Sequence, residues 1–445
     1  MYKNVLNQGI VVLLILFGSY FPAKSQTIAA NPTTTNAPAD MKSDHPPAAS
    51  SATNAKPQET DTTWKPVRRL WGYAFGDYYY DAHADAANRG AETNYSGVPS
   101  YRNAFQFRRI YLGYDYDINK QFAVEVLLAS EPSANTNPAT GTTISNSDNL
   151  ADNKMSFYIK NFALRWRSIW NGTDLVLGET LTPAFPLLTE KIWGYRAVER
   201  TISDFHRTNA YDVGAELEGF FDPQTKNFGY NFMVGNNAAG SSASLGSAAN
   251  PATGFYKAFY GDVYGKFLNQ TLIVDLYADY MRTAQGTAAV GGQARNMFKG
   301  FLAYTTPKIT FGLEAYTQEI ANGVTNTTTK LAEDARVNAI SVYAHGAIYK
   351  DKLGFFARYD GYNPDNDYNP ADSYTVNTNL PAYSPTTKEH FYTAGLDYTP
   401  AKNVHFEPNL WLIQYVDQRD PSATGYVPES HVLVYRFTFF YQFGK

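Results

Sequence analysis

The stretch HVLVYRFTFFYQFGK, His431–Lys445, decides the fold. From Leu433 every second residue is apolar: Leu433, Tyr435, Phe437, Phe439, Tyr441 and Phe443. The residues between them, Val432, Val434, Arg436, Thr438, Phe440 and Gln442, are mixed. Alternation with a period of two marks a β-strand that faces two different environments. The mean hydropathy of the chain is only -0.38. An apolar face of this quality on so polar a chain needs an apolar neighbour.

The strand does not stand alone. From Trp64 onward, sixteen alternating segments follow one another, near 69–81, 103–117, 121–130, 154–169, 173–180, 211–221, 228–235, 255–267, 271–283, 295–305, 308–319, 336–349, 352–362, 389–398, 402–416 and 430–443. Turn residues separate them. The short connections are Asn119-Lys120, Asn171-Gly172, Asp222–Asn227, Asn269-Gln270, Thr306-Pro307, Lys350-Asp351 and Pro400-Ala401. The long ones are roughly 82–102, 131–153, 181–210, 236–254, 284–294, 320–335, 363–388 and 417–429, rich in Asn, Gly, Ser, Thr and Pro. Long and short alternate without exception. An all-β, antiparallel up-and-down transmembrane barrel of about 16 strands produces this pattern, with short periplasmic turns on one rim and long extracellular loops on the other. A soluble β-sandwich gives no reason for it. The apolar face of 433–443 then points at outer-membrane lipid, and the hydropathy is low because only alternate residues need be apolar.

Composition agrees. The chain has 445 residues, 35 Tyr, 28 Phe and a formal charge of -4, which gives no footing for a nucleic-acid partner. There is no Cys, so disulfides, thiolate metal sites and thiol nucleophiles are excluded. Residues 1–25 read as a signal peptide: Lys3, the apolar run Ile10–Phe17 and the small-x-small site Ala23-Lys24-Ser25. Its removal takes away Lys3 and Lys24 and leaves the mature chain at -6. Residues 26–66, Pro-, Thr- and Ala-rich, read as a disordered arm, and 67–445 as the barrel.

Parity assigns the faces. Val124, Val126 and Leu128 face lipid, so Glu125 faces the lumen. Leu272, Val274 and Leu276 leave Asp275, Tyr277 and Asp279 inside. By the same count Glu314, Arg358, Asp360 and Arg436 point inward, as do Arg109 with Asp115, Arg165 with Arg167, and Glu216 with Glu218. A charge facing lipid at the midplane costs ~2–4 kcal/mol, which enforces these choices. Arg108 has the wrong parity and must sit near an interface, unless a bulge shifts the register.

The loop 181–210 is the expected constriction. It carries Trp193, Tyr195 and the cations Lys191, Arg196, Arg200 and Arg207, accompanied by Glu190, Glu199 and Asp204. Folded into the lumen, it would narrow the pore and set the local field. The blander reading is that lumen Arg and Asp/Glu pair and stiffen the wall. The loop DGYNPDNDYNPAD, Asp360–Asp372, has four Asp but lacks EF-hand spacing and reads as a solvated surface loop rather than a calcium site.

Several motifs also resemble the phosphate-selective porin O/P family. They are Gly178 closing a strand, Thr182-Pro183-Ala184-Phe185, Val198-Glu199-Arg200-Thr201, YDVGAELEGFF (Tyr211–Phe221), FFARYDGYNPDND (Phe355–Asp367) and FQFRRIYLGYDYDI (Phe105–Ile118). The resemblance implies a trimeric outer-membrane porin of a Gram-negative bacterium that passes small hydrophilic solutes or ions passively, anions such as phosphate among them. The C-terminal strand, with Phe443, is expected to engage the barrel-assembly machinery. No enzyme, cofactor or metal is expected: none of the seven His lies in a His-Glu-x-x-His spacing, and neither a Gly-x-Ser-x-Gly elbow nor a phosphate loop occurs. The alternative is a non-conducting outer-membrane barrel with an enzymatic or anchoring role. Against anchoring, the arm is the only appendage; against plugged uptake receptors, the arm is too short and polar to fold as a plug.

Overall fold

A computed structural model describes residues 64–89, 95, 98–131, 157–206, 209–237, 257–283, 292–377 and 383–444. The expected signal peptide, nearly all of the expected arm and Arg207 lie outside these residues. The strands are β1 Arg68–His83, β2 Asn103–Asp117, β3 Phe122–Ser130, β4 Tyr158–Trp170, β5 Thr173–Leu181, β6 Tyr211–Phe220, β7 Phe228–Gly235, β8 Ala258–Phe267 and β9 Leu272–Thr283. They continue with β10 Gln293–Thr305, β11 Ile309–Asn326, β12 Ala332–Tyr349, β13 Leu353–Asn363, β14 Tyr374–Val376, β15 Thr387–Ala401, β16 Val404–Asp417 and β17 Ser430–Phe443. Two short helices, α1 Thr189–Trp193 and α2 Ile202–Phe205, interrupt the loop between β5 and β6.

Each strand pairs antiparallel with its sequence neighbour, and β1 pairs with both β2 and β17. The sheet therefore closes on itself as a sixteen-strand barrel, which leaves no unpaired edge. The remaining strand, β14, belongs to a loop and lies only against the end of β11. Closure runs from Gly72 opposite Phe443 to His83 opposite Leu433.

The C-terminal strand behaves as its alternation requires. Tyr435 and Phe437 are 52% and 46% exposed, whereas Val434, Arg436 and Thr438 are buried. Phe311, Leu276, Leu302, Val342 and Leu396 give the other strands the same exposed apolar outer row. What would be core in a soluble protein lies inside the barrel. Tyr260, Tyr277, Met281, Met297 and Tyr316 form one inward cluster, and Trp411, Ile413, Tyr415, Val432 and Val434 another.

Six of the seven short turns fall where the sequence places them; the seventh, expected at Pro400-Ala401, lies two residues further on, at Lys402-Asn403, because β15 runs through to Ala401. The eight long connections do not all survive. The expected loop 320–335 is mostly strand: β11 and β12 run on to Asn326 and Ala332, leaving five residues between them. The reason is physical. The outer row of β11 reads Phe311, Leu313, Ala315 and then Thr317 and Glu319, while β12 turns polar at Asn338 and Arg336. Apolar alternation stops where lipid stops, but hydrogen-bonded pairing continues into water.

Candidate pore constriction

The loop 182–210 leaves β5 just past Gly178, whose φ of 130° is closed to residues with a side chain. A Cβ there would also lie 2.3 Å from the Phe162 carbonyl oxygen on β4. Thr182 ties the loop's base: its N–H donates to Ala210 O at 3.0 Å and its hydroxyl to Asn209 O at 2.5 Å. Ala184 and Phe185 then bury themselves in the inward Tyr260–Met281–Met297 cluster. α1 stops at Gly194, which takes φ 73° and returns its N–H to Glu190 O at 3.0 Å, a left-handed helix end. Trp193 donates from Nε1 to Glu199 O at 2.8 Å and packs on Tyr343 and Phe356 of the far wall. Arg196 braces the loop from within, paired with Glu190 and, at 2.8 Å, with Asp204.

Arginines from three strands hold the loop's backbone. Arg108 of β2 donates to Ala197 O at 3.2 Å and Val198 O at 2.9 Å, and pairs with Glu199 at 3.2 Å. Arg436 of β17 donates to Val198 O at 2.8 Å and pairs with Asp77 of β1, also at 2.8 Å. Arg358 of β13 donates to Arg200 O at 2.5 Å, pairs with Asp360 and lies 5.2 Å over the Trp193 ring. Lys299 of β10 donates to Ala184 O and to Thr189 Oγ1, the latter at 3.1 Å. His345 of β12 meets Ile192 O at 3.0 Å, and Tyr195 donates to Asp397 of β15 at 3.3 Å. These strands lie on opposite sides of the barrel, so the loop spans the lumen. Buried carbonyls must find donors, and the guanidinium fork supplies several at once. Burial would push the Glu199 carboxyl up, but Arg108 and Arg200 beside it hold it at about 2. From the first loop, Tyr95 is also buried, donating to Asp77 at 2.9 Å and packing edge-on against Trp411.

Arg108 corrects the parity argument in favour of its second branch. Phe75 pairs with Arg109 and Gly76 with Phe107, so Arg108 is the extra residue of a bulge. Both Arg108 and Arg109 turn inward. Arg109 meets Glu131 at 3.3 Å, and Glu131 also takes Lys160 and the Tyr111 hydroxyl. Arg165 bridges Glu125 at 2.5 Å, Glu218 at 2.9 Å and Asp174 at 3.4 Å. Arg167 pairs with Asp117 at 2.6 Å. Asp275 and Glu314 are buried in the wall as parity places them, and Asp275 lies 4.0 Å from Lys299. Neither Asp275 oxygen has a hydrogen-bond partner among the described residues, nor does either oxygen of Glu216. Lys191 is exposed on α1. The residues that sequence reasoning missed are Lys299, His345 and Tyr95, and Arg108 was left open between an interface and a bulge. Lys299 was legible by parity, between inward Met297 and Phe301. Tyr95, in a long loop, carried no such signal.

The closed barrel, its apolar exterior and a loop laid across its lumen define the class: an outer-membrane barrel of the porin type. No family model matches the chain, and no curated protein does. Solved structures do. An anion-selective porin from Comamonas acidovorans superposes with a TM-score of 0.53 at 12% identity, covering 85% of this chain and 100% of that one. The outer membrane channel DcaP of Acinetobacter baumannii gives 0.52 at 12% identity, over 85% and 97%. OmpF of Salmonella typhi, solved with daunomycin, gives 0.50 at 14% identity, over 84% and 97%. At such identities the likeness is one of fold. It bears out the porin-type barrel and does not reach the phosphate-selective O/P family.

Proposed function

We propose that the protein is a porin of the Gram-negative outer membrane, a narrow passive channel for small hydrophilic solutes and ions. It is exported by the segment 1–25, carries the arm 26–66 into the periplasm, assembles as a trimer, and is inserted by barrel-assembly machinery that reads the strand ending at Phe443. The observation behind this reading is the loop 182–210, held across the lumen by Arg108, Arg358 and Arg436. Sixteen strands leave a lumen too wide for the wall's own side chains to fill, so a loop of this size sets the bore. In this reading Lys191, Trp193, Tyr195, Arg196, Glu199, Arg200 and Arg207 belong to the constriction, and passage is diffusion through the water around it.

Phosphate selectivity is the finer form of the proposal, and the side-chain pairing weighs against it. A phosphate ladder needs cations free to meet the anion, and these arginines are already committed to carbonyls and carboxylates. A second reading, a barrel closed at rest, draws on the same density of loop contacts.

Single-channel recording in planar bilayers tests both. The expected result is stepwise current of small unit conductance, rising when Arg108 and Arg436 are both replaced by Ala. A barrel that migrates as folded on an unheated gel and passes no current in either form would count for the non-conducting alternative.

A further inference from the structure

The β15–β16 hairpin carries a second constellation, next to the arginine clasp but not part of it. His405 and Glu407 are two apart on β16, so both point to one face, here the lumen. Asp397, inward on β15, lies beside them. One ligand atom from each of the three lies within 4.8 Å of the other two. His405 Nδ1 is 2.9 Å from Asp397 Oδ1 and 3.2 Å from Oδ2. Glu407 is only 3% exposed, and its Oε2 has no hydrogen-bond partner among the described residues. A buried carboxylate oxygen without a donor is costly, and a cation removes that cost. Arg436, the nearest firm cation on β17, is already taken by Asp77 and Val198 O.

We propose that Asp397, His405 and Glu407 bind a divalent transition-metal cation of the Zn²⁺ class at the short-turn end of the lumen. The donor set decides the ion. One imidazole nitrogen with two carboxylate oxygens suits Zn²⁺ or Mn²⁺, whereas Mg²⁺ and Ca²⁺ take oxygen donors. Three protein ligands leave a coordination position for water. Asp397 also lines a cavity of about 270 Å³ together with Tyr195, His345, Thr399 and the turn residues Thr306 and Lys350. The site also touches the constriction, because Tyr195 donates to Asp397 Oδ2 at 3.3 Å. A bound cation competes with that hydroxyl for the carboxylate, so occupancy bears on the loop. No metal spacing is legible along the chain because the third ligand comes from the paired strand.

The test is calorimetric titration of ZnCl₂ into the refolded, tag-free full-length barrel after chelator treatment and dialysis, with MgCl₂ as the contrast. One Zn²⁺ per chain is expected, with no Mg²⁺ binding at the same concentrations. Glu407→Gln and His405→Gln should each weaken Zn²⁺ binding by about tenfold or more, since each removes one of three ligands. Unheated gel mobility checks that the variants are folded, and either variant alone suffices if the other does not fold. Absence of Zn²⁺ binding by the native protein, or equal binding by the folded variants, overturns the proposal. Neither readout involves current, so a failure here is separate from a failure of the channel reading.

Discussion

Ala197, Val198 and Arg200 turn their carbonyl oxygens toward three buried guanidinium groups, and this contact fixes the loop in the lumen. Glu199 matters most among the charges of that turn, because Arg108 and Arg200 both act on it. Its carboxyl is held at about 2, below the ordinary value of 4.5. A lowered value means that the anion favours the folded loop. That contribution is complete above about pH 4.5 and is lost as pH falls through about 2. The expected outcome is a gap between the heat-modifiability midpoints of the native protein and Glu199→Gln that is constant from pH 7 to 5 and narrows below. Glu199→Gln should start from a lower midpoint at pH 7 and lose part of the acid-dependent drop. Identical pH profiles for the two proteins would remove Glu199 from the loop's anchorage. Parity located Arg358 and Arg436 in the lumen but not their partners, since nothing in a sequence marks which loop carbonyl a side chain will meet. Arg108 was ambiguous because a single bulged residue inverts parity, and only the pairing of Gly76 with Phe107 resolves it.

Strands β11 and β12 show how far a sequence pattern reaches. Hydropathy ended the two segments at 319 and 336, and these are sound positions for the edge of the bilayer. They are not the ends of the strands, because backbone pairing does not depend on an apolar outer row. Six of the seven short turns match the sequence reading for the opposite reason. On that rim strand and lipid end together, and residues such as Asn269, Lys350 and Asn403 take the positive φ that tight reversal needs. The distinction can be measured. Val342, opposite Leu313 on the outer face, is 47% exposed and sits within the apolar row. Val342→Arg should lower the unfolding free energy in lipid vesicles by ~2–4 kcal/mol. Thr317→Arg, on the outer face at the polar boundary, should cost no more than ~1 kcal/mol. Equal costs at the two positions would show that the bilayer edge is misplaced.

Ion preference belongs to the barrel as a unit, because the lumen adds the fields of every wall. The net charge of the chain was legible at once, but its consequence was not, since a sum of charges does not say which are already paired. With pairing known, the balance tilts. Arg108, Arg109, Arg165, Arg167, Arg196, Arg358 and Arg436 all have carboxylate partners. On the other side, buried Glu216 carries oxygens without hydrogen-bond partners among the described residues, and buried Asp275 has only Lys299, at 4.0 Å. Among the described residues, Lys191, exposed on α1, is a constriction cation open to passing ions. Carboxylate-lined pores favour cations. In a tenfold KCl gradient the reversal potential should therefore take the sign of K⁺ preference, and Lys191→Glu should move it further in that direction while unit conductance and gel mobility hold. Anion preference, with chloride current falling as phosphate is added, would reverse the argument. It would mean that the arginines leave the carbonyls of Ala197, Val198 and Arg200 in the open channel and become the anion ladder that the resemblance implies. Loss of anion preference in Arg436→Ala would then identify which of them had moved.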